Sequence, residues 1–545
     1  MTQKNVHHDI VGKSCFILAW AMLAILMSSD IFIAFAAPRP DSAENRQKAT
    51  VELLSAATHA SAERITQLVQ DGADVNASRS GRTPLMEAAA YNPNPEVSRT
   101  LIENGADVNV VTTDGRTVLM MAAENNSNPE ILRILIKNGA DVNSVNRYGE
   151  TPLMFAARNE NLDVLSVLLE NDAKVDFADR YGRTALMYAA QNRNAQVSRT
   201  LIENGADVRI KDRDGRTPLS RAVQLNSNHE VSRVLIEKGS EVDDPDNSGR
   251  TPLAWAAQWN SNPEVLRVLI ENGADVDAVD RDGWTPLMFA PKEGGSLEDR
   301  RAPVAAEGKN PAVLQILIEN GADINAANRN GETPLMYAAL RQNTDMLKIL
   351  VESGADVNAV DKDGWTPLMY VADNKPGASG GGSITTKVRS ERVLRGNLSA
   401  LQILIERGAD VNAANREGQT PLMLVARNSS IPETLQILIE SGANVNAVDK
   451  NGWTPLILAA HDSTNPQMAM RLLLDNGADA EAENKEGKNA RAYTRQRSIE
   501  AFVTPILYFL YLGRGFILPV LLALCFWVYF CAGKINKRKE KGRTS

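Results

Sequence analysis

Three histidines stand in the body of this 545-residue chain, His59, His229 and His461. An imidazole serves as a general base only when a nucleophile and an orienting group lie within hydrogen-bond reach. Their use as a set therefore depends on whether the intervening elements bring them together. Asp212, Asp280 and Asp361 each open an Asp-x-Asp-Gly turn, a spacing shared with calcium loops. An EF-hand loop needs further oxygen ligands and a glutamate at its twelfth position, which these turns lack, so the aspartates read as turn formers. The three cysteines, Cys15, Cys525 and Cys531, sit in apolar terminal stretches, which leaves the body without a thiol for a disulfide or a zinc site.

Charge narrows the partner class. The total is −8, of which the last twelve residues contribute +5 and Arg514 +1, while residues 1–37 sum to zero. Residues 38–500 therefore carry −14, and a body that acidic repels phosphate backbones. Nucleic acid is excluded as a partner on this ground, and no small-molecule substrate or cofactor is evident.

The two ends point to a membrane. Lys4 and Lys13 precede an apolar run from Cys15 to Met27 and the small residues Ala34-Phe35-Ala36, the order of a secretory signal cut after Ala36. An uncleaved anchor over residues 15–37 is the alternative, and it gives the same topology. Residues 516–533 hold no charge over eighteen positions, about 27 Å of helix, and read as a transmembrane helix. Six basic residues follow, from Lys534 to Arg543, and place the tail 534–545 in the cytoplasm and the body on the opposite side. Residues 501–515 contain an apolar stretch broken by Pro505, too short to span, and read as a capping or interfacial segment.

The elements that must position any site come from a repeat. Thr-Pro-Leu or a near variant recurs at Thr83, Thr117, Thr151, Thr184, Thr217, Thr251, Thr285, Thr333, Thr366, Thr420 and Thr454, mostly 33 or 34 residues apart. Gly-Ala-Asp or a degenerate copy runs between them twelve times, first at Gly72 and last at Gly477. Asn262-Pro263 supplies an N-cap and a first helical residue, and Gly273 a left-handed C-terminal residue, so this stretch predicts a helix. Asp361-Lys362-Asp363-Gly364 predicts a tight hairpin turn. Insertions at 291–310 and 374–397 interrupt repeats 8 and 10 and read as loops.

These residues closely resemble the ankyrin repeat over about residues 50–490: a hairpin finger, Gly-x-Thr-Pro-Leu, a short inner helix, a longer outer helix, then Gly-Ala-Asp. The resemblance implies an all-α repeat solenoid whose fingers and inner helices form a binding face, and protein recognition as its use. The histidine frequent after leucine in the family is methionine here, as in Met86, Met154, Met288 and Met369. The predicted organisation is a signal segment at 1–36, a linker at 37–49, the array at 50–500, then the C-terminal segments above. His59, His229 and His461 fall in repeats 1, 6 and 12, so no catalytic constellation is expected. The predicted function is a membrane-anchored scaffold for a protein partner outside the cytoplasm; the alternative is an assembly subunit of a membrane complex.

Nine of the fifteen aromatics in residues 38–500 occupy two repeat positions. Trp284, Trp365 and Trp453 follow the finger glycine, and Phe155, Tyr188, Trp255, Phe289, Tyr337 and Tyr370 lie four residues after the threonine. On a helical wheel Trp255 stands about 200° from Leu253, away from the core side. The expectation is that the six inner-helix rings form an exposed recognition strip, with sideways packing between inner helices as the alternative. For the finger tryptophans, packing and partner contact both remain open.

Overall fold

The structure is a computed structural model that describes residues 43–290, 311–341, 343–373, 398–428, 432–463 and 465–495. The predicted signal segment, both insertions, and the segments at 501–515, 516–533 and 534–545 lie outside these residues. Among the described residues no helix is long and apolar enough to cross a membrane.

The described chain is built of helix pairs without named strands; isolated bridges join Arg79 to Arg82 and Val111 to Thr117. The first helix, Ala43–Ala56, begins within the stretch read as a linker. It belongs to repeat 1 and packs on the helix Ala62–Gln70.

Each later repeat forms as its local chemistry dictates. Thr83 holds an extended backbone, and its hydroxyl accepts the N–H of Met86 at 3.4 Å, while Pro84 fills the first position of the inner helix Pro84–Tyr91. Alanines at 88, 89 and 90 are wholly buried there and let neighbouring helices approach closely. The outer helix Pro95–Glu103 starts at Asn94, whose side chain accepts the N–H of Glu96 at 3.1 Å. Leu101 and Val97 bury its inward face.

Two compact bodies result. The first holds repeats 1 to 5 and repeat 6 up to Ala222 together with its outer helix His229–Glu237; the second begins at Val242 and also takes in residues 223–227. Within each body the same asparagine joins successive repeats. Asn126 donates to the carbonyls of Ala89 and Asn92, both at 3.0 Å, and accepts the N–H of Asn128 at 3.0 Å. Asn260 does the same in the second body, donating to Val223 and Asn226 at 2.7 and 2.9 Å. A buried amide with all its groups bonded fixes the register of one repeat on the next.

Fingers also join edge to edge. Arg180 N–H meets the Tyr148 carbonyl at 2.9 Å, and Arg416 N–H meets the Asp363 carbonyl at 2.8 Å. The approach needs glycine: Gly149 lies at φ +79°, and a β-carbon there would stand 3.0 Å from the Arg180 nitrogen.

Candidate functional site

The finger turn is closed by one side chain. In repeat 5 the Asp179 Oδ1 accepts the N–H groups of Tyr181 and Arg183 at 2.8 and 2.9 Å. Asp246 and Asp361 make the same pair of bonds in repeats 7 and 10, and Asp212 and Asp280 make them too. These aspartates therefore act as turn formers through one oxygen.

The other oxygen reaches the inner helix nine residues on. Tyr188 donates its hydroxyl to Asp179 Oδ2 at 2.7 Å, Trp255 its indole N–H to Asp246 Oδ2 at 3.0 Å, and Tyr370 its hydroxyl to Asp361 Oδ2 at 2.6 Å. In repeat 6 Arg221 takes this place, with Nε 2.9 Å from Asp212 Oδ2. Tyr337 bonds Glu332 and accepts from Asn328 at 3.2 Å.

The exposed strip expected of the six inner-helix rings is not present. Phe155 and Phe289 are 0% exposed, Tyr188 and Trp255 5%, and only Tyr337 and Tyr370 are half-buried. Turning away from the helix core does not bring a ring to solvent, because the finger of its own repeat and arginines of neighbouring segments cover that side. Guanidinium groups of Arg116 and Arg158 lie 4.8 and 5.0 Å from the Phe155 centroid, and Arg158 lies 4.3 Å from that of Tyr188. Arg250 stands 5.0 Å from Trp255 and 4.6 Å from Phe289. Cations over ring faces are attracted by the ring quadrupole, most strongly where water is scarce.

The finger tryptophans are half-buried and each meets another ring. Trp284 lies 4.2 Å from Tyr337 of the next repeat and 5.1 Å from Phe289. Trp365 lies 5.5 Å from Tyr370, and Trp453 stacks 5.2 Å from Tyr493. Packing and residual exposure thus coexist at this position.

Ionisation is set by burial and by these bonds. Burial, then the bond to Asp179, pushes the Tyr188 phenol far above its ordinary 10; Tyr337 and Tyr370 are raised by burial and by Glu332 and Asp361 respectively. Burial opposes the charge on Glu150, but bonds from Asn146 and Arg158 outweigh it and hold the carboxyl below its ordinary value. Two cavities open on this face: one of about 650 Å³ in the first body, near Arg82, Tyr91, Arg116 and Glu124, and one of about 250 Å³ in the second, near Leu340, Trp365 and Tyr370.

The histidines find sequence neighbours. His59 Nδ1 is 2.9 Å from the Thr58 hydroxyl and His229 Nε2 3.1 Å from Glu230. His461 pairs with Asp462 at 2.6 Å and sits edge-on to Trp453 and Tyr493. Among the described residues no group of three or more His, Cys, Asp and Glu is placed to hold a metal ion.

The arginines over the rings escaped the sequence reading. For Arg116, Arg183 and Arg250 the signal lay in the finger residue before the threonine, which is arginine there and tryptophan in repeats 8, 10 and 12; Arg158, just past the inner helix Pro152–Ala156, carried no such mark.

A family model described as ankyrin repeats (3 copies) matches residues 53–146, 119–212, 204–280, 244–298, 304–379 and 391–484, and a single ankyrin repeat model matches 363–416. Among solved structures, the human ASB11 ankyrin repeat domain is similar at 26% identity, covering 44% of this chain and 99% of that one, with a TM-score of 0.37. No curated protein matches the chain. With models matching most of the body, and with finger, capped helix pair and left-handed glycine recurring through it, this chain belongs to the ankyrin repeat family.

Proposed function

We propose that this protein is a membrane-anchored scaffold that captures a protein partner on the finger and inner-helix face of its repeats, outside the cytoplasm. Membership of the ankyrin repeat family implies an interaction scaffold, a use that is typically non-catalytic. The anchoring and the side of the membrane rest on sequence: the uncharged run 516–533, the six basic residues after it, and the signal-like N-terminus.

The observation that carries the binding reading is the ladder of fingers. In the second body Lys362, Arg416, Lys450 and Lys485 each donate a backbone N–H to the preceding finger, to Asn330, Asp363, Glu417 and Asn451, at 2.8 to 3.0 Å. A surface held in this way loses little freedom when a partner docks, so more of the contact energy appears as affinity. The side chains of Lys362, Arg416, Lys450 and Lys485 are exposed on it.

Crosslinking in native membranes followed by affinity purification tests the scaffold. A recurrent partner whose crosslinks map to the fingers supports it, and crosslinks confined to the outer helices would overturn this choice of face. For topology, a reporter active only outside the cytoplasm is expected to work when fused after Asp479. Activity of a cytoplasm-only reporter at that point would refute the placement.

A further inference from the structure

We propose that the cavity beside Trp365 and Tyr370 seats an arginine side chain of the partner protein, an inference that rests on the scaffold reading and names the chemistry of one contact.

The chain itself shows what this kind of site accepts. In repeat 5 a finger carboxylate, an inner-helix ring and a finger guanidinium form a set: Asp179, Tyr188 and Arg183, with Arg183 Nε 2.9 Å from Asp179 Oδ2 and its guanidinium 5.0 Å from the Tyr188 centroid. In repeat 7 Arg250 stands over Trp255, which bonds Asp246. Repeat 10 has the carboxylate and the ring, Asp361 and Tyr370, but its finger residue is Trp365 in place of arginine. Among the described residues no cation stands over Tyr370, and the 250 Å³ cavity opens there.

Its lining suits a guanidinium. Trp365 and Tyr370 are tilted by 47° with centroids 5.5 Å apart, so they form two walls of a wedge, and both rings are half-buried. Asp361, Asp363 and Asp373 supply three carboxylates to the lining, which includes no lysine or arginine. Asp373 is already paired with Arg427 at 3.0 Å, whereas Asp363 is exposed at the mouth. Leu340, 37% exposed, offers an apolar surface for the methylene stem. The larger cavity of the first body differs, since Arg82 and Arg116 balance its Asp114 and Glu124. A planar guanidinium can stack on the rings and bond a carboxylate at once, which an ammonium does less well.

The test uses the full-length chain and a fluorescein-labelled peptide alternating glycine and arginine four times, read by anisotropy. The glutamine and lysine counterparts serve as controls. The arginine peptide is expected to bind best. Trp365→Ala and Asp363→Asn should each weaken it about fivefold or more. Trp365→Arg should abolish binding by supplying the guanidinium within the chain, as repeats 5 and 7 do. Asp345→Asn, an equal charge change at an exposed position of the outer helix Thr344–Glu352, should leave binding unchanged. Equal weakening by Asp345→Asn and Asp363→Asn would overturn the proposal, since the peptide would then be reading only the acidity of the body. Binding that appears only after removal of residues 374–397, which carry five basic residues and one acid, would also overturn it by making the chain's own segment the occupant. If the peptide fails to bind while the crosslinked partner is still captured, this inference falls and the scaffold reading stands.

Discussion

The Tyr188 hydroxyl lies 2.7 Å from Asp179 Oδ2 and 3.2 Å from Glu150 Oε1, so one buried phenol bridges the fingers of repeats 4 and 5. Arg158 stacks on its ring at 4.3 Å and pairs with Glu150 at 2.6 Å. A position that looks free on a single helix is thereby the centre of a polar network joining two repeats.

Tyr188→Phe should destabilise the first body by about 1–3 kcal/mol, because a buried carboxylate loses a donor. The pH dependence follows from the raised phenol. Ionisation is easier in the unfolded chain, so the stability is present below pH 10 and is lost as pH rises past it. Urea unfolding at neutral and alkaline pH checks both points, and the variant should show the shallower alkaline loss.

Trp255→Ala should cost about 3–5 kcal/mol, since it empties a buried site and leaves Asp246 Oδ2 without the indole N–H. A thermal midpoint lowered by several degrees is the expected result. An unchanged midpoint with weakened partner capture would instead restore this ring as a binding anchor.

Glu150→Gln should lower stability near neutral pH and flatten its acid dependence. A carboxyl held below its ordinary 4.5 contributes stability present above that pH and lost as pH falls through the folded value. Thermal midpoints of the two proteins should converge as pH falls through that folded value. A constant gap across the range would show that charge at this position is irrelevant.

Ser232→Ala should stabilise the first body by about 1 kcal/mol. Its hydroxyl is wholly buried and has no hydrogen-bond partner among the described residues, and Ser98 and Ser198 share this condition. Equivalent positions elsewhere hold Leu132, Leu165 and Leu266. Chemical denaturation measures the change, and a loss of stability would mean that the hydroxyl is bonded in solution.

Helices, caps and turns were legible in the chain because each depends on neighbours a few residues away. Thr83 before Pro84, Asn94 before Pro95, and Gly105 at φ +88° each act within one turn of backbone. The repeat spacing then revealed the stacking, since no single helix pair can bury its apolar face alone. The surroundings of the rings were not legible, because they combine the folded finger of the same repeat with partners from adjoining repeats. Arg116 over Phe155, Arg158 over Tyr188 and Trp284 against Tyr337 are pairs thirty or more residues apart in sequence that meet only when one repeat lies on the next. A helical wheel places Trp255 relative to its own axis; only the packed finger, with Asp246 and Arg250, decides that this side is covered.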